Sequence, residues 1–205
     1  MKTFTEKQAE DFLEKEGFKI AKRKLVNKYE DAESFARKIG YPVVLKASSE
    51  NLLHKTEANA VRMNVNENNI KENFAQLKKI KNIGIIVQKQ IEGQHLLLGI
   101  KKDSAFHHVI ALGAGGIFTE VIKDVSFRIP PLNKSHAEEM LSELKISRIL
   151  QGYRNQKFRT GEVIDAILSL SRLSKNYPNI QELDINPMIV NDKEAVIVDA
   201  RIIFG

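Results

Sequence analysis

Gly40-Tyr41-Pro42-Val43-Val44-Leu45-Lys46 is the stretch that decides how this chain is built. The glycine stops an amphipathic segment at residues 31–39, and the proline then holds Tyr41 out of the helical region and forces an extended entry. Val43, Val44 and Leu45 follow as a short, wholly apolar run that reads as a buried strand, with the ammonium of Lys46 at its end. Helix, stop, strand and terminal cation are thus written within a few residues.

Upstream, Thr5-Glu6-Lys7-Gln8 reads as a capping box that opens a helix ending near Gly17. Downstream, residues 47–60 cluster Ser, Asn and charged pairs without periodicity and read as a long loop, a class of segment that is usually functional in compact domains. A strand at 61–65 and an amphipathic helix at 67–80 come next. The pattern then changes to strands at 83–89, 95–101, 109–112 and 118–122, a β-meander. Ser135-His136-Ala137-Glu138 reads as a second capping box, starting a helix that reaches about residue 144, and a longer helix covers 161–175. Strands at 182–185 and 196–203 complete the chain. This order specifies an α+β or α/β fold with mixed sheets and flanking helices. It predicts one domain over 1–205 with a smaller first lobe at 19–88 and a larger second lobe at 89–205, on which helix 5–17 docks.

The 205 residues are 42% apolar and 28% charged, which suits a folded globular chain and excludes a disordered or fibrous one. No apolar run approaches the roughly 18 residues of a membrane span. The opening Met1-Lys2-Thr3-Phe4-Thr5-Glu6-Lys7 carries charges where a signal peptide needs an apolar core, so a cytoplasmic location is expected. With no cysteine, thiolate catalysis and thiolate metal sites are excluded. The net charge of +6 is uneven: residues 1–102 hold 20 basic and 13 acidic side chains, the remainder 12 and 13. A basic half favours an anionic ligand. Without Trp, a recognition helix or an RNA-binding signature, a nucleotide or phosphorylated partner accounts for it at least as well as a nucleic acid.

Three groups of residues carry candidate chemistry. No G-x-x-x-x-G-K-[ST] is present, and Gly113-Ala114-Gly115-Gly116 leads into a strand, which does not fit a dinucleotide fingerprint. That leaves Lys46, which fits a phosphate-contacting point charge or a snorkelling lysine on an edge strand. In Gln181-Glu182-Leu183-Asp184-Ile185-Asn186-Pro187, strand alternation lines Glu182, Asp184 and Asn186 on one face, an oxygen row that Asp199 on the next strand extends. Such donors suit Mg²⁺, although Asn186-Pro187 also fits a turn and Asp199 a pairing with Arg201. His54, in the long loop, is either a nucleophile toward phosphorus or an ordinary surface imidazole. His95, His107 and His108 form a fourth, weaker pattern, a metal cluster on adjacent strands.

Gly40-Tyr41-Pro42-Val43-Val44-Leu45-Lys46, Leu53-His54-Lys55-Thr56-Glu57, Gly113-Ala114-Gly115-Gly116-Ile117-Phe118-Thr119-Glu120 with Lys123-Asp124-Val125-Ser126-Phe127-Arg128, and Glu182-Leu183-Asp184-Ile185-Asn186-Pro187 occur in that order. Together they resemble the β subunit of ADP-forming acetyl-CoA (acyl-CoA) synthetase, the ATP-grasp part of the succinyl-CoA synthetase superfamily. The resemblance implies an ATP-grasp fold holding ATP or ADP with Mg²⁺ between two lobes. It also implies a CoA-binding α partner and conversion of acyl-CoA, ADP and phosphate into acid, CoA and ATP. His54 matches the histidine that relays the phosphoryl group on a swinging loop, and Lys46 the lysine on the nucleotide phosphates. Asn186 and Asp199 match magnesium ligands, with Asp184 beside them. Val87-Gln88-Lys89-Gln90-Ile91 resembles the hinge whose backbone reads adenine, so Val87, Gln88 and Gln90 join the expected nucleotide contacts. Glu120 and Arg128 fall in matched segments and are weaker candidates for a site or a partner interface.

The chain departs from the family pattern at several positions. Asn59-Ala60 stands where a Gly-Gly pair is usual, removing backbone freedom after the relay histidine. His95 occupies the place of a nucleotide-contacting glutamate, Phe106-His107-His108 that of Phe-Gly-Pro, and Arg154-Asn155 that of Arg-Gly. These departures raise an alternative: a degenerate ATP-grasp module that binds nucleotide or partner without transferring phosphate.

Overall fold

The computed structural model describes residues 1–48, 60–115, 124–152 and 157–205. His54 and most of the expected loop at 47–60, the expected strand at 118–122, and Asn59, Glu120, Arg154 and Asn155 lie outside the described residues. The described chain divides into two compact units, a smaller one of Thr5–Lys7 with Ala21–Ile91 and a larger one of Met1–Phe4, Gln8–Ile20 and Glu92–Gly205. Strand β1 (Lys2–Thr3) and helix α1 (Glu6–Lys15) open the chain. Gly17 ends this first helical region at φ +88°, where a side chain would be strained.

The smaller unit runs β2 (Arg23–Val26), α2 (Tyr29–Ile39), β3 (Val43–Ser48), β4 (Val61–Val65), α3 (Ile70–Lys78) and β5 (Gly84–Lys89). Helix α2 stops where expected, at Gly40, whose φ of +83° lets its N–H return to Ala36 O at 2.9 Å. The strands form an antiparallel sheet of order β2-β5-β3-β4, so β3 is an interior strand. Alternation along β3 sends Val43, Leu45 and Ala47 into a core with Ile85, Val87, Ala32, Ala36, Phe74 and Leu77. The other face of β3 carries Val44, Lys46 and Ser48.

The larger unit contains β6 (Gln94–Asp103), β7 (His107–Ala114), β8 (Val125–Arg128), α4 (Lys134–Glu143), α5 (Ser147–Leu150), α6 (Thr160–Asn176), β9 (Ile180–Val190), β10 (Ala195–Ile197) and β11 (Ala200–Phe204). Its sheet has the order β1-β11-β9-β6-β7-β8, with β10 also on β9. Leu96, Leu98 and Ile100 of β6 pack with Ile110, Leu112, Leu183 and Ile202 against Met140, Ile167 and Leu170 of the helices, and Ala9 and Leu13 of α1 join the same core. Every ladder between named strands is antiparallel, so of the two expected classes α+β is the one observed; the Ile20–Ile197 bridge is parallel.

Some local readings are corrected. Helix α4 is capped by Asn133, not at Ser135: its side chain accepts from His136 N at 2.9 Å, and His136 Nδ1 accepts from Asn133 N. The run expected as one strand at 196–203 breaks at Val198 and Asp199 into β10 and β11, which pair with different parts of β9. Strand β9 extends through Pro187 to Val190, absorbing the irregularity as a register shift against β6 between Leu96 and Leu98. Strands β1 and β2 were not expected; short and largely polar, they exist through pairing with β11 and β5. At the β6–β7 connection His107 takes φ +63°, a conformation glycine adopts at no steric cost, while Asp103 Oδ1 accepts from Ala105 N and Phe106 N. Those two bonds hold the Asp103 carboxyl below its usual range.

Candidate functional site

The cationic group of the smaller unit is Lys46. Its place on an interior strand and its 5% exposure exclude the snorkelling alternative. The Nζ donates to Oε1 of Glu6 at 2.7 Å, with the two side chains 7% and 1% exposed. Ser48, two residues on and on the same face, is 1% exposed, and its Oγ has no hydrogen-bond partner. A buried hydroxyl without a partner is costly unless a ligand completes it. Gln88, level with Val44, shares this face and is buried. Val87 points the other way into the core, and its main chain lies within the ladders to β2 and β3. Gln90 spends both ends of its amide on Asn64: Nε2 donates to Oδ1 and Oε1 accepts from the Asn64 N–H, each at 2.7 Å. Its side chain clamps β4 at a residue whose φ is +56°.

The oxygen donors of the larger unit lie on the face of its sheet turned from the helices. Register places Gly99, Asp184 and Arg201 side by side across β6, β9 and β11, with Lys101, Glu182 and Ile203 in the neighbouring row. Burial, reinforced by the charges of Glu182 and Asp199 and opposed by Arg201, pushes the Asp184 carboxyl up to about 6. Lys101 is hydrogen-bonded to Glu182. Asn186 is exposed, and its N–H donates to Asp199 O at 3.2 Å, which ties the two expected metal-binding segments together. Arg201 Nε is buried without a hydrogen-bond partner. Among the described residues, no three His, Cys, Asp or Glu side chains are grouped to hold a metal unaided. Crowded hard oxygens that lack a full cage fit Mg²⁺, which binds through one or two carboxylates and completes its shell with water and substrate phosphate.

His95 stands on β6 opposite Ile189, half-buried; burial lowers the imidazole's pKa, so the ring is neutral near pH 7. Its carbonyl accepts from Gly115 N at 2.8 Å, fixing the start of the glycine-rich segment. The other two histidines do not join it in a metal cluster: His108 is buried with Nε2 2.8 Å from Ile180 O, and His107 forms the turn described above. Arg128 is not brought to the carboxylate face. In register with Ile110, Ile100 and Leu183, it lies on the helix side, where it bonds Glu143 of α4, which also accepts from Ser126 Oγ. A cavity of about 150 Å³ beside α6, lined by Phe18, Lys19, Glu162, Asp165 and Met188 among others, contains none of the expected site residues. It is too small for a nucleotide, since ligand pockets run from about 300 Å³.

The sequence reading missed Glu6, which it passed over inside the capping box of Thr5 and Gln8. A usable signal was present: Glu6, Ala9, Glu10 and Leu13 follow the i, i+3, i+4, i+7 spacing of a buried helical stripe, and all four are 6% exposed or less. Two carboxylates on a buried stripe require partners.

The sequence model of the ATP-grasp domain matches residues 1–204. ADP-forming acetate–CoA ligase I of Archaeoglobus fulgidus is 37% identical over 94% of this chain, and the chain spans only 30% of that protein's length. The β subunit of ADP-forming acetate–CoA ligase I of Pyrococcus furiosus is 34% identical over 97% of this chain and 90% of the subunit. Among solved structures, the dinucleotide-forming acetyl-coenzyme A synthetase 1 of Ca. Korarchaeum cryptofilum, in complex with coenzyme A and Ca-AMPCP, superposes with a TM-score of 0.92 at 32% identity, covering 100% of this chain and 94% of that one. A second structure of that synthetase, with coenzyme A and Mg-AMPPCP and its phosphohistidine segment pointing towards the nucleotide binding site, has a TM-score of 0.87 at 32% identity and covers 100% of this chain and 93% of that one.

Proposed function

This chain belongs to the ATP-grasp domain family, and from that premise we propose that it is the nucleotide-binding β part of an ADP-forming acyl-CoA synthetase. The reading makes it an acid–thiol ligase that works with a CoA-binding α subunit, converting acyl-CoA, ADP and phosphate into acid, CoA and ATP in the cytoplasm. The observation that carries the proposal is the continuous similarity to a β subunit over nine-tenths of that subunit's length.

In this reading His54 accepts a phosphoryl group delivered from the partner and passes it to ADP. The nitrogen–phosphorus bond to His54 breaks as the bond to the terminal ADP oxygen forms, so the imidazole returns unchanged and no outside proton donor is consumed. Transfer of this kind depends on positioning and charge neutralisation. Lys46 supplies a fixed positive charge to the nucleotide phosphates, and the Ser48 hydroxyl and Gln88 amide lie on the same strand face. Asp184, Asn186 and Asp199 would hold Mg²⁺, which supplies further neutralisation of phosphate charge. His95 offers a hydrogen bond in the place where the resemblance puts a nucleotide-contacting glutamate.

The test combines the chain with its CoA-binding partner, Mg²⁺ and ATP labelled at the γ position. Acid-labile label on this chain, lost in His54→Ala, is the expected result; nucleotide binding without label overturns the enzyme and leaves a binding module. The neutral His95 in a carboxylate's place is the observation that favours this second reading.

A further inference from the structure

Lys46 does not wait for its ligand alone. Its ammonium and the Glu6 carboxylate meet at 2.7 Å although 40 residues separate them, and both side chains are almost wholly buried. The contact lies inside the smaller unit, to which Thr5–Lys7 belong. A lysine removed from water keeps its proton only if something compensates the lost hydration, and a bare ammonium on four rotatable bonds has no defined position. Glu6 answers both needs. It is in the first turn of α1, where the aligned peptide dipoles favour an anionic side chain. Its bond sets the direction of one of the three ammonium hydrogens.

We propose that Glu6 is a positioning residue for the nucleotide site, holding Lys46 charged and aimed so that it meets a nucleoside diphosphate's phosphates without reorganising. This rests on the reading of Lys46 as a phosphate contact. Glu6 does not touch nucleotide; it acts through Lys46. A pair with no net charge attracts a polyanion weakly at long range, so its benefit lies in preorganisation. Charge that must be fixed before the ligand arrives is cheaper to use than charge that must be found and oriented afterwards.

The experiment titrates ADP with Mg²⁺ into the full chain by calorimetry, for the wild type, Lys46→Met, Glu6→Gln, Glu6→Asp and Glu6→Gln/Lys46→Met. Lys46→Met is expected to weaken ADP by about tenfold or more, the scale of a lost charge-assisted bond, and Glu6→Gln to do nearly the same. Glu6→Asp, which keeps the carboxylate, is expected to recover part of the loss. In the Lys46→Met background, Glu6→Gln should add nothing, because its route to the ligand is gone. Should a single variant fail to fold, Glu6→Met/Lys46→Met replaces the pair by apolar groups and gives a folded chain that binds ADP as poorly as Lys46→Met. If Lys46→Met binds ADP normally, the assignment of Lys46 fails and the inference with it. If Lys46→Met weakens binding and Glu6→Gln does not, or if Glu6→Gln weakens it equally when Lys46 is absent, only the role of Glu6 is overturned.

Discussion

The two sheets treat charge in opposite ways on the faces turned from their helices. In the four-stranded sheet the cation is balanced within the unit: Lys46 is buried and paired with Glu6. In the seven-stranded sheet the anions are in excess: Asp184 is mostly buried beside Glu182 and Asp199, with Arg201 opposing them, and its pKa rises to about 6. A charge persists in a low-dielectric setting only when matched, and the Lys46–Glu6 pair meets that condition without a ligand. Around Asp184 the carboxylates outnumber the opposing Arg201, and hard oxygens of this kind suit an oxygen-liganded cation. In the proposed function, the smaller unit balances its cation internally, whereas the carboxylates of the larger unit would hold Mg²⁺.

The largest test of that contrast is to unbalance the balanced side. Glu6→Gln should cost about 3–5 kcal/mol in urea unfolding because it removes the carboxylate 2.7 Å from a buried ammonium, whereas Glu6→Met/Lys46→Met should return most of that stability. A double variant no more stable than the single one would break the comparison. On the unbalanced side the sign reverses. The Asp184 pKa is raised above its unfolded value near 3.8, so its contribution to stability is most favourable below about pH 4 and is lost as pH rises through about 6. Magnesium-free protein should therefore lose up to about 3 kcal/mol across that interval, a figure set by a shift of about two pKa units. Asp184→Asn should flatten the slope while weakening Mg²⁺-dependent nucleotide binding; an unchanged slope would show that the carboxylates do not crowd. The smallest effect belongs to Arg128 and Glu143, an exposed pair on the helix side. The Glu143 carboxyl is held low by hydrogen bonds from Arg128 and Ser126, so its contribution is present above about pH 4.5 and disappears as pH falls through the depressed value. Arg128→Met should cost under about 1 kcal/mol and leave ADP affinity unchanged, which calorimetry checks directly.

Much of this architecture is legible in the chain because it is encoded locally. Gly40 and Pro42 fix the end of α2 and the start of β3 by backbone sterics alone, and Gly17 ends the first helical region in the same way. The alternation of Glu182 and Asp184 on one face holds, opposite Lys101 and Gly99 of β6, while beyond Ile185 the register shift interrupts the period before it reaches Asn186. Other features escape for equally definite reasons. Asn133 rather than Ser135 caps α4 because a shift of two residues at the helix start leaves the hydrophobic pattern of its body unchanged. The break at Val198 and Asp199 lies opposite Asn186 and Pro187 of β9, where β9 also shifts register against β6, a relation between segments that no local window contains. Arg128 sits beside a matched motif, yet its alternation within β8 turns it to the helices.

By itself, then, the sequence determined element types, the principal helix stops and the chemical inventory of ammonium, imidazole and carboxylates, because these follow from periodicity, backbone sterics and residue chemistry. Only tertiary structure decided who meets whom. Glu6 reaches Lys46, Gln90 clamps Asn64 and Arg128 turns toward Glu143 because pairing energies in a folded interior depend on through-space distance and burial, which no local window of residues contains.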